Sequence, residues 1–228
     1  MFRNLPKVTK NLLIINTIIW LASMVMYRMG NSLLMDLFAL HFPTGSDNSR
    51  FHIWQLFSYM FLHDDRGIWH LLFNMYTLAI FGPVLERVWG GGKFLFFYLF
   101  CGVGAGLCQV GAQYVQFSIL LSRFEPNSLK AAFDLYTTVG ASGAIYGVLL
   151  GYGMLFPDSR LTLLFPPVSM KAKWFVLIFA AIELLSTLGP ALGRGDGVAH
   201  IAHLGGMLFA LVLILIWKRR KKMYEYHD

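Results

Sequence analysis

Charge is what this sequence has least of. Only 14% of its 228 residues are Asp, Glu, Lys or Arg, against about 25% in an ordinary soluble domain, so most of its surface is suited to lipid. No long polar linker and no low-complexity tract divides it, which points to one domain over residues 1–228. Cysteine is scarce too. Cys101 and Cys108 are the two present, seven apart in one apolar segment, where a helix puts them about two turns apart on one face. Neither a disulfide nor a metal framework follows from that spacing. Acids number 12 against 19 Lys and Arg. The basic residues, however, cluster between apolar runs instead of along one polar face, which argues against nucleic acid and reads as membrane topology.

What the chain does have is 57% apolar residues. A transmembrane helix needs roughly 20 mostly apolar residues. Six stretches qualify, at about residues 11–29, 68–88, 94–116, 139–156, 174–192 and 198–217, with a short basic tail over 218–228. The expected fold class is therefore all-α: a polytopic membrane bundle of six helices. Arg3, Lys7 and Lys10 before the first run have the look of a secretory signal, but no small-residue cleavage site is evident and more spans follow, so an uncleaved first helix is expected. The fourth stretch carries Gly140, Gly143, Gly147, Gly151 and Gly153. That is poor for an isolated helix, but it suits close helix packing in a membrane.

Orientation comes from the basic residues in alternate connections. One side holds Arg3, Lys7, Lys10, Arg87, Lys93, Arg160, Lys171, Lys173 and the run at 218–222; the other holds Arg28, Arg50, Arg66, Arg123, Lys130 and Arg194. The positive-inside rule then places both termini in the cytoplasm. The first outer connection, about residues 30–67, has apolar faces built from Leu33, Leu34, Leu37, Phe38 and Leu40, then Phe51, Trp54 and Phe57. These suit either the membrane interface or a loop folded back on the bundle. The connection over residues 117–138 is also long, and nothing in it resembles a site.

Polar groups inside spans are costly and mark function. At about 1.5 Å per residue from the outer ends, His70 lies about 3 Å deep, Asn74 about 9 Å, Ser142 about 5 Å and His203 about 8 Å. A hydroxyl, two imidazoles and an amide thus meet at one shallow level. His70 and Asn74 share a helical face at i, i+4, as do Ser142 and Tyr146. Ala199, His203, Gly206 and Ala210 form a small-residue stripe that lets a neighbouring helix approach. Taken singly, each has a plain explanation: a Ser in a span bonds back to the backbone, and a membrane His bonds to another helix. Together they meet a chemical need, because a Ser hydroxyl becomes nucleophilic beside a base and its acyl-transfer intermediate needs donors at the oxyanion.

The segment Gly140-Ala141-Ser142-Gly143 followed by Tyr146 resembles the GxSG motif of the rhomboid family of intramembrane serine proteases. His70-Leu71-Leu72-Phe73-Asn74 is similar to its HxxxN motif, and Ala202-His203-Leu204-Gly205-Gly206 to its AHxxG motif. GxSG alone is weak, but the three in order, across nearly the whole chain, are highly specific. The resemblance implies a Ser142–His203 dyad that cleaves transmembrane segments of single-span membrane proteins near the outer surface. It also implies His70, Asn74 and the Ser142 amide around the oxyanion, Tyr146 stacked on His203, and Gly140, Gly143 and Gly206 in support. No metal or cofactor is called for, and the setting it suggests is the plasma membrane of a bacterium.

Relatives often carry Trp-Arg in the first loop, where this chain has Trp54-Gln55, which puts in doubt an ion pair from that loop to Glu86. No acid is expected to complete a triad. Glu183, the acid within the fifth stretch, falls about 14 Å below its outer end and reads as a structural polar contact, leaving Tyr146 packing to hold the imidazole. Two other classes compete with the protease reading. A catalytically dead relative that escorts membrane clients would lack the Ser or the His, and a small transporter would spread polar groups over the full depth.

Overall fold

The computed structural model describes residues 5–45, 49–162, 168–187 and 199–225, with side chains to residue 219. Its main helices are α1 (Lys7–Arg28), α4 (Trp69–Trp89), α5 (Gly91–Leu120), α7 (Ser142–Leu155), α8 (Ala172–Ser186) and α9 (His200–Glu225). Short helices α2 (Leu33–Phe38), α3 (Gln55–Ser58) and α6 (Pro126–Asp134) sit in the connections. The helical bundle expected from the sequence is present, and the chain is an integral membrane protein. Among the described residues, four helices are long and apolar enough to cross a membrane: α1, α4, α5 and α9 over His200–Arg219. At 14 and 15 residues, α7 and α8 reach about 21–22 Å, short of a hydrocarbon core of about 30 Å.

α5, α7 and α9 pack against one another as a central trio, with α1 on α4 and α8 against α7 and α9. Large apolar side chains point outward from the helices, among them Ile18, Phe73, Tyr114, Leu184 and Leu185, as lipid-facing surfaces require. Inside, Leu78, Leu85, Phe94, Phe97, Tyr98, Cys101 and Val148 form a continuous buried core. Both cysteines are free thiols that fill glycine grooves. A Cβ on Gly147 would come within 2.7 Å of Cys101 Sγ, and one on Gly205 within 2.6 Å of Cys108 Cβ.

The first connection folds back on the bundle. Leu40 and Phe42, then Tyr59, Met60 and Leu62, are buried, while Leu33, Leu37, Trp54 and Phe57 stay exposed, so the alternatives left by the sequence are divided between its residues. Strand β1 (Leu40–His41) pairs antiparallel with β2 (Thr137–Thr138), in register Leu40↔Thr138 and His41↔Thr137, and the Gly140 amide donates to Tyr59 O at 3.0 Å. The segment leading to Ser142 is thereby held by the first connection. Between α7 and α8, strand β3 (Arg160–Thr162) pairs antiparallel with β4 (Ser169–Lys171).

Glu86 and Gln55 do separate jobs. Buried Glu86 accepts hydrogen bonds from Val8 N at 2.8 Å, Thr9 N at 2.7 Å and Thr9 Oγ1 at 2.7 Å. A carboxylate there satisfies orphan amides and the positive dipole end of α1. Gln55 stitches its own loop, accepting from His41 N and His52 N and donating to Arg50 O at 2.8 Å. An arginine is not required at position 55, because Glu86 is engaged by the start of α1.

Candidate active site

Four helix ends meet at one end of the bundle. Ser142 opens α7, His203 sits in the first turn of α9, His70 is the second residue of α4, and Glu183 lies in the last turn of α8. Ser142 can stand at a helix start because the chain turns sharply before it. Gly140 has φ +127, a left-handed conformation, and a Cβ there would come within 2.8 Å of the His70 ring. Only glycine fits both the backbone and the space. Opening α7 also leaves the first amides of that helix without intrahelical acceptors, beside the Ser142 hydroxyl and at the positive end of the dipole.

His203 Nε2 lies 2.8 Å from Ser142 Oγ. The Tyr146 ring stacks on the imidazole, centroids 4.3 Å apart and planes 8° from parallel. The close approach of α7 and α9 rests on glycine: a Cβ on Gly206 would lie 1.8 Å from Gly143 O, and one on Gly143 would lie 3.4 Å from Ala202 O, besides 2.5 Å from Ala105 Cβ on α5. The structure thus brings Ser142, His203, Tyr146, Gly143 and Gly206 together where α7 meets α9. With Nε2 unprotonated and Nδ1 protonated, His203 can take the hydroxyl proton.

Glu183 overturns the sequence expectation. Its Oε2 is 3.1 Å from His203 Nδ1 and 2.6 Å from His200 Nδ1, and the Tyr146 hydroxyl donates to its Oε1. The His203 contact is within ion-pair reach, although Nδ1–H is not aligned for a straight hydrogen bond. Glu183 is therefore a buried neighbour of the imidazole and not a remote structural polar group. The error was one of depth: α8 closes at Ser186, with Thr187 N on Glu183 O and Thr187 Oγ1 on Leu184 O. This leaves Glu183 about one turn from the end of the helix. Gly189-Pro190 was the sequence signal for an early stop.

His70 accepts from Asp64 N through Nδ1 at 3.4 Å and turns its other edge toward Gly140. Asn74 is buried and donates one amide hydrogen to His70 O at 3.0 Å, so its side chain is fastened to the backbone one turn away. His63 was not singled out from the sequence. It is fully buried with its ring 5.1 Å from that of His70. Burial first, then the charge His70 would carry, pushes its pKa down to about 3, so it is a neutral ring packed behind His70.

The Rhomboid domain family model matches residues 50–220, a stretch that includes Ser142, His203, His70, Asn74 and Glu183. The chain is 32% identical over 165 residues to presenilin-associated rhomboid-like protein, mitochondrial, of Rattus norvegicus, covering 70% of this chain and 38% of that one. It is 29% identical over 177 residues to RHOMBOID-like protein 6, mitochondrial, of Arabidopsis thaliana, covering 77% and 48%. With Rhomboid protease AarA of Providencia stuartii it shares 28% over 167 residues, covering 69% and 53%. The matched segment thus spans between about a third and a half of these relatives' length. On the family match and these identities together, the chain belongs to the rhomboid family.

Proposed function

We propose that this chain is an intramembrane serine endopeptidase that cleaves transmembrane segments of single-span membrane proteins. The observation that carries the reading is the 2.8 Å contact between Ser142 Oγ and His203 Nε2. In this mechanism His203 takes the Ser142 proton as Oγ attacks the scissile carbonyl. The oxyanion forms near the Ser142 amide, His70 and Asn74, and His203 returns the proton to the leaving amine. A water deprotonated by the same imidazole then hydrolyses the acyl-enzyme. Tyr146 packing holds the ring, and Glu183 beside Nδ1 favours the tautomer that leaves Nε2 free to accept.

The shortness of α7 supports cleavage near one membrane face. Ser142 opens a 14-residue helix inside longer neighbours, and the non-helical stretch before it is tolerated at depth where protein buries it or it lines a water-filled recess. The single domain over 1–228, the six spans, both termini in the cytoplasm and a bacterial plasma membrane complete the proposal, with the basic asymmetry supporting the orientation. Small residues at the cut site and helix-weakening residues beyond it are the substrate features that the family resemblance suggests. A client-escorting relative without activity has no need of the Ser–His contact.

The test incubates detergent-purified protein with a panel of single-span membrane substrates, beside its Ser142→Ala form. Cleavage by the first and not by the second is expected; cleavage by both, or by neither across the panel, would remove the assignment. A further expectation concerns the oxyanion. Asn74→Ala should lower turnover by about 10²-fold or less while the protein stays folded, since other donors remain and one lost donor costs about 10²–10³ in other hydrolases. Turnover equal to the parent's would take Asn74 out of the site.

A further inference from the structure

The carboxylate that touches His203 also touches His200, and the three side chains offer ligand atoms that all lie within 4.8 Å of one another. His200 and His203 stand at i, i+3 in the first turn of α9, with rings 89° apart. Both turn Nδ1 toward the same Glu183 oxygen, at 2.6 and 3.1 Å. Glu183 and His203 are buried and His200 is partly accessible, so the cluster is mostly dehydrated with one side open to entry. Two imidazoles and a carboxylate, with a fourth position for water, is a donor set that zinc takes readily. Tetrahedral bonds of about 2.0–2.1 Å set donors about 3.3 Å apart, so Glu183 Oε2 has to draw back by about 0.7 Å from His200 Nδ1 and about 0.2 Å from His203 Nδ1, while the two imidazole donors, within 4.8 Å of one another, close toward the same spacing.

We propose that Glu183, His200 and His203 form an inhibitory site for a divalent transition metal, with Zn²⁺ as the fitting ion. The mechanism is a tautomer lock. A neutral imidazole that gives its Nδ1 electron pair to a metal carries its single proton on Nε2. Moving that proton from Nδ1 to Nε2 turns His203 from acceptor to donor toward Ser142, with no net proton gained or lost. The Ser142 hydroxyl is then left without a base. Hard cations such as Mg²⁺ and Ca²⁺ prefer all-oxygen sites and should not act.

The binding arm uses untagged Ser142→Ala protein in detergent and titrates Zn²⁺ by calorimetry, with visible absorption of added Co²⁺ as a coordination readout. One equivalent is expected, with tetrahedral Co²⁺ bands. In the same background His200→Ala and Glu183→Gln should weaken it at least tenfold, since loss of a mere outer-shell partner already costs about 10–100-fold. Zn²⁺ binding unchanged in both variants would overturn the site, and so would its absence from the parent. The activity arm, which alone rests on the proposed dyad, follows fluorophosphonate labelling of Ser142 in the unsubstituted protein. Zn²⁺ at ten times its dissociation constant should leave about a tenth of the rate by simple occupancy. EDTA should restore it, and Mg²⁺ should have no effect. Site occupancy with full labelling would overturn the tautomer lock, whereas failure to label even without metal would count against the protease reading and leave the binding result standing.

Discussion

His203→Ala is expected to abolish both substrate cleavage and labelling of Ser142 by a fluorophosphonate, while His200→Ala keeps at least about a tenth of the activity. The two imidazoles lie one turn apart on α9 and both reach Glu183 Oε2, yet only His203 presents its far nitrogen to Ser142 Oγ, at 2.8 Å. Without it the hydroxyl has no proton acceptor in a largely dry site. In a soluble hydrolase built on the same chemistry, loss of the Ser or the His alone costs about 10⁶-fold in kcat. Losing His200 removes one of several anchors on Glu183, since the Tyr146 hydroxyl still donates to Oε1. The carboxylate therefore stays beside Nδ1, and the cost should be limited to looser positioning. Cleavage and labelling are measured at equal folded amounts. If His200→Ala proved silent while His203→Ala stayed active, the assigned base would be wrong.

The parts of the site that were legible in the sequence share a physical character. Ser142, His203, His70 and Asn74 are polar groups in apolar runs, where desolvation makes each of them conspicuous. Their common depth follows from counting residues along helices whose starts the hydropathy places to within about three residues. The structure begins α7 at Ser142 and α9 at His200, so both groups sit in first turns, as a shallow meeting point requires. Glu183 is equally conspicuous, but hydropathy puts the outer end of its helix six residues too far along. Hydropathy runs on to residue 192, whereas α8 closes at Ser186. An apolar stretch records where lipid or protein can cover the chain and not where the helix hydrogen bonds stop. Apolar count also overstated α7, whose first expected residues, 139–141, form the turn that leads into Ser142.

Contacts between distant segments outside the site were not legible. The acceptor role of Glu86 toward Val8 and Thr9 joins residues almost eighty positions apart, and the β1–β2 pair joins strands of two residues each. Neither leaves a periodic trace, because two residues cannot establish an alternation. Loop residues such as Gln55 gain their meaning only when Arg50, His41 and His52 are brought around the same amide.

Gly206→Ala is expected to be the most damaging Gly→Ala change among the described glycines. The new Cβ would sit 1.8 Å from the Gly143 carbonyl oxygen. A carbon–oxygen contact settles at about 3.3–3.6 Å, so α7 and α9 must part by about 1.5 Å. The obstacle is backbone within a helix and cannot swing aside as a side chain would. Gly143 follows Ser142, and Gly206 lies one turn below His203, so parting the helices there draws the hydroxyl away from the imidazole. A misplacement of about 1 Å can by itself cost 10²-fold in rate, and overpacking of this kind destabilises by about 1–3 kcal/mol or more. The variant should therefore lose at least about 10²-fold in turnover and unfold earlier in a mixed-micelle titration. Gly111→Ala on α5 is the control, because a Cβ there meets nothing within 4 Å. That change should be neutral or stabilise by about 0.5–1 kcal/mol, the ordinary gain of Ala over Gly in a helix, with turnover unaltered. Full activity in Gly206→Ala would mean that the α7–α9 contact does not set the Ser142–His203 distance, and the packing account of the site would fall.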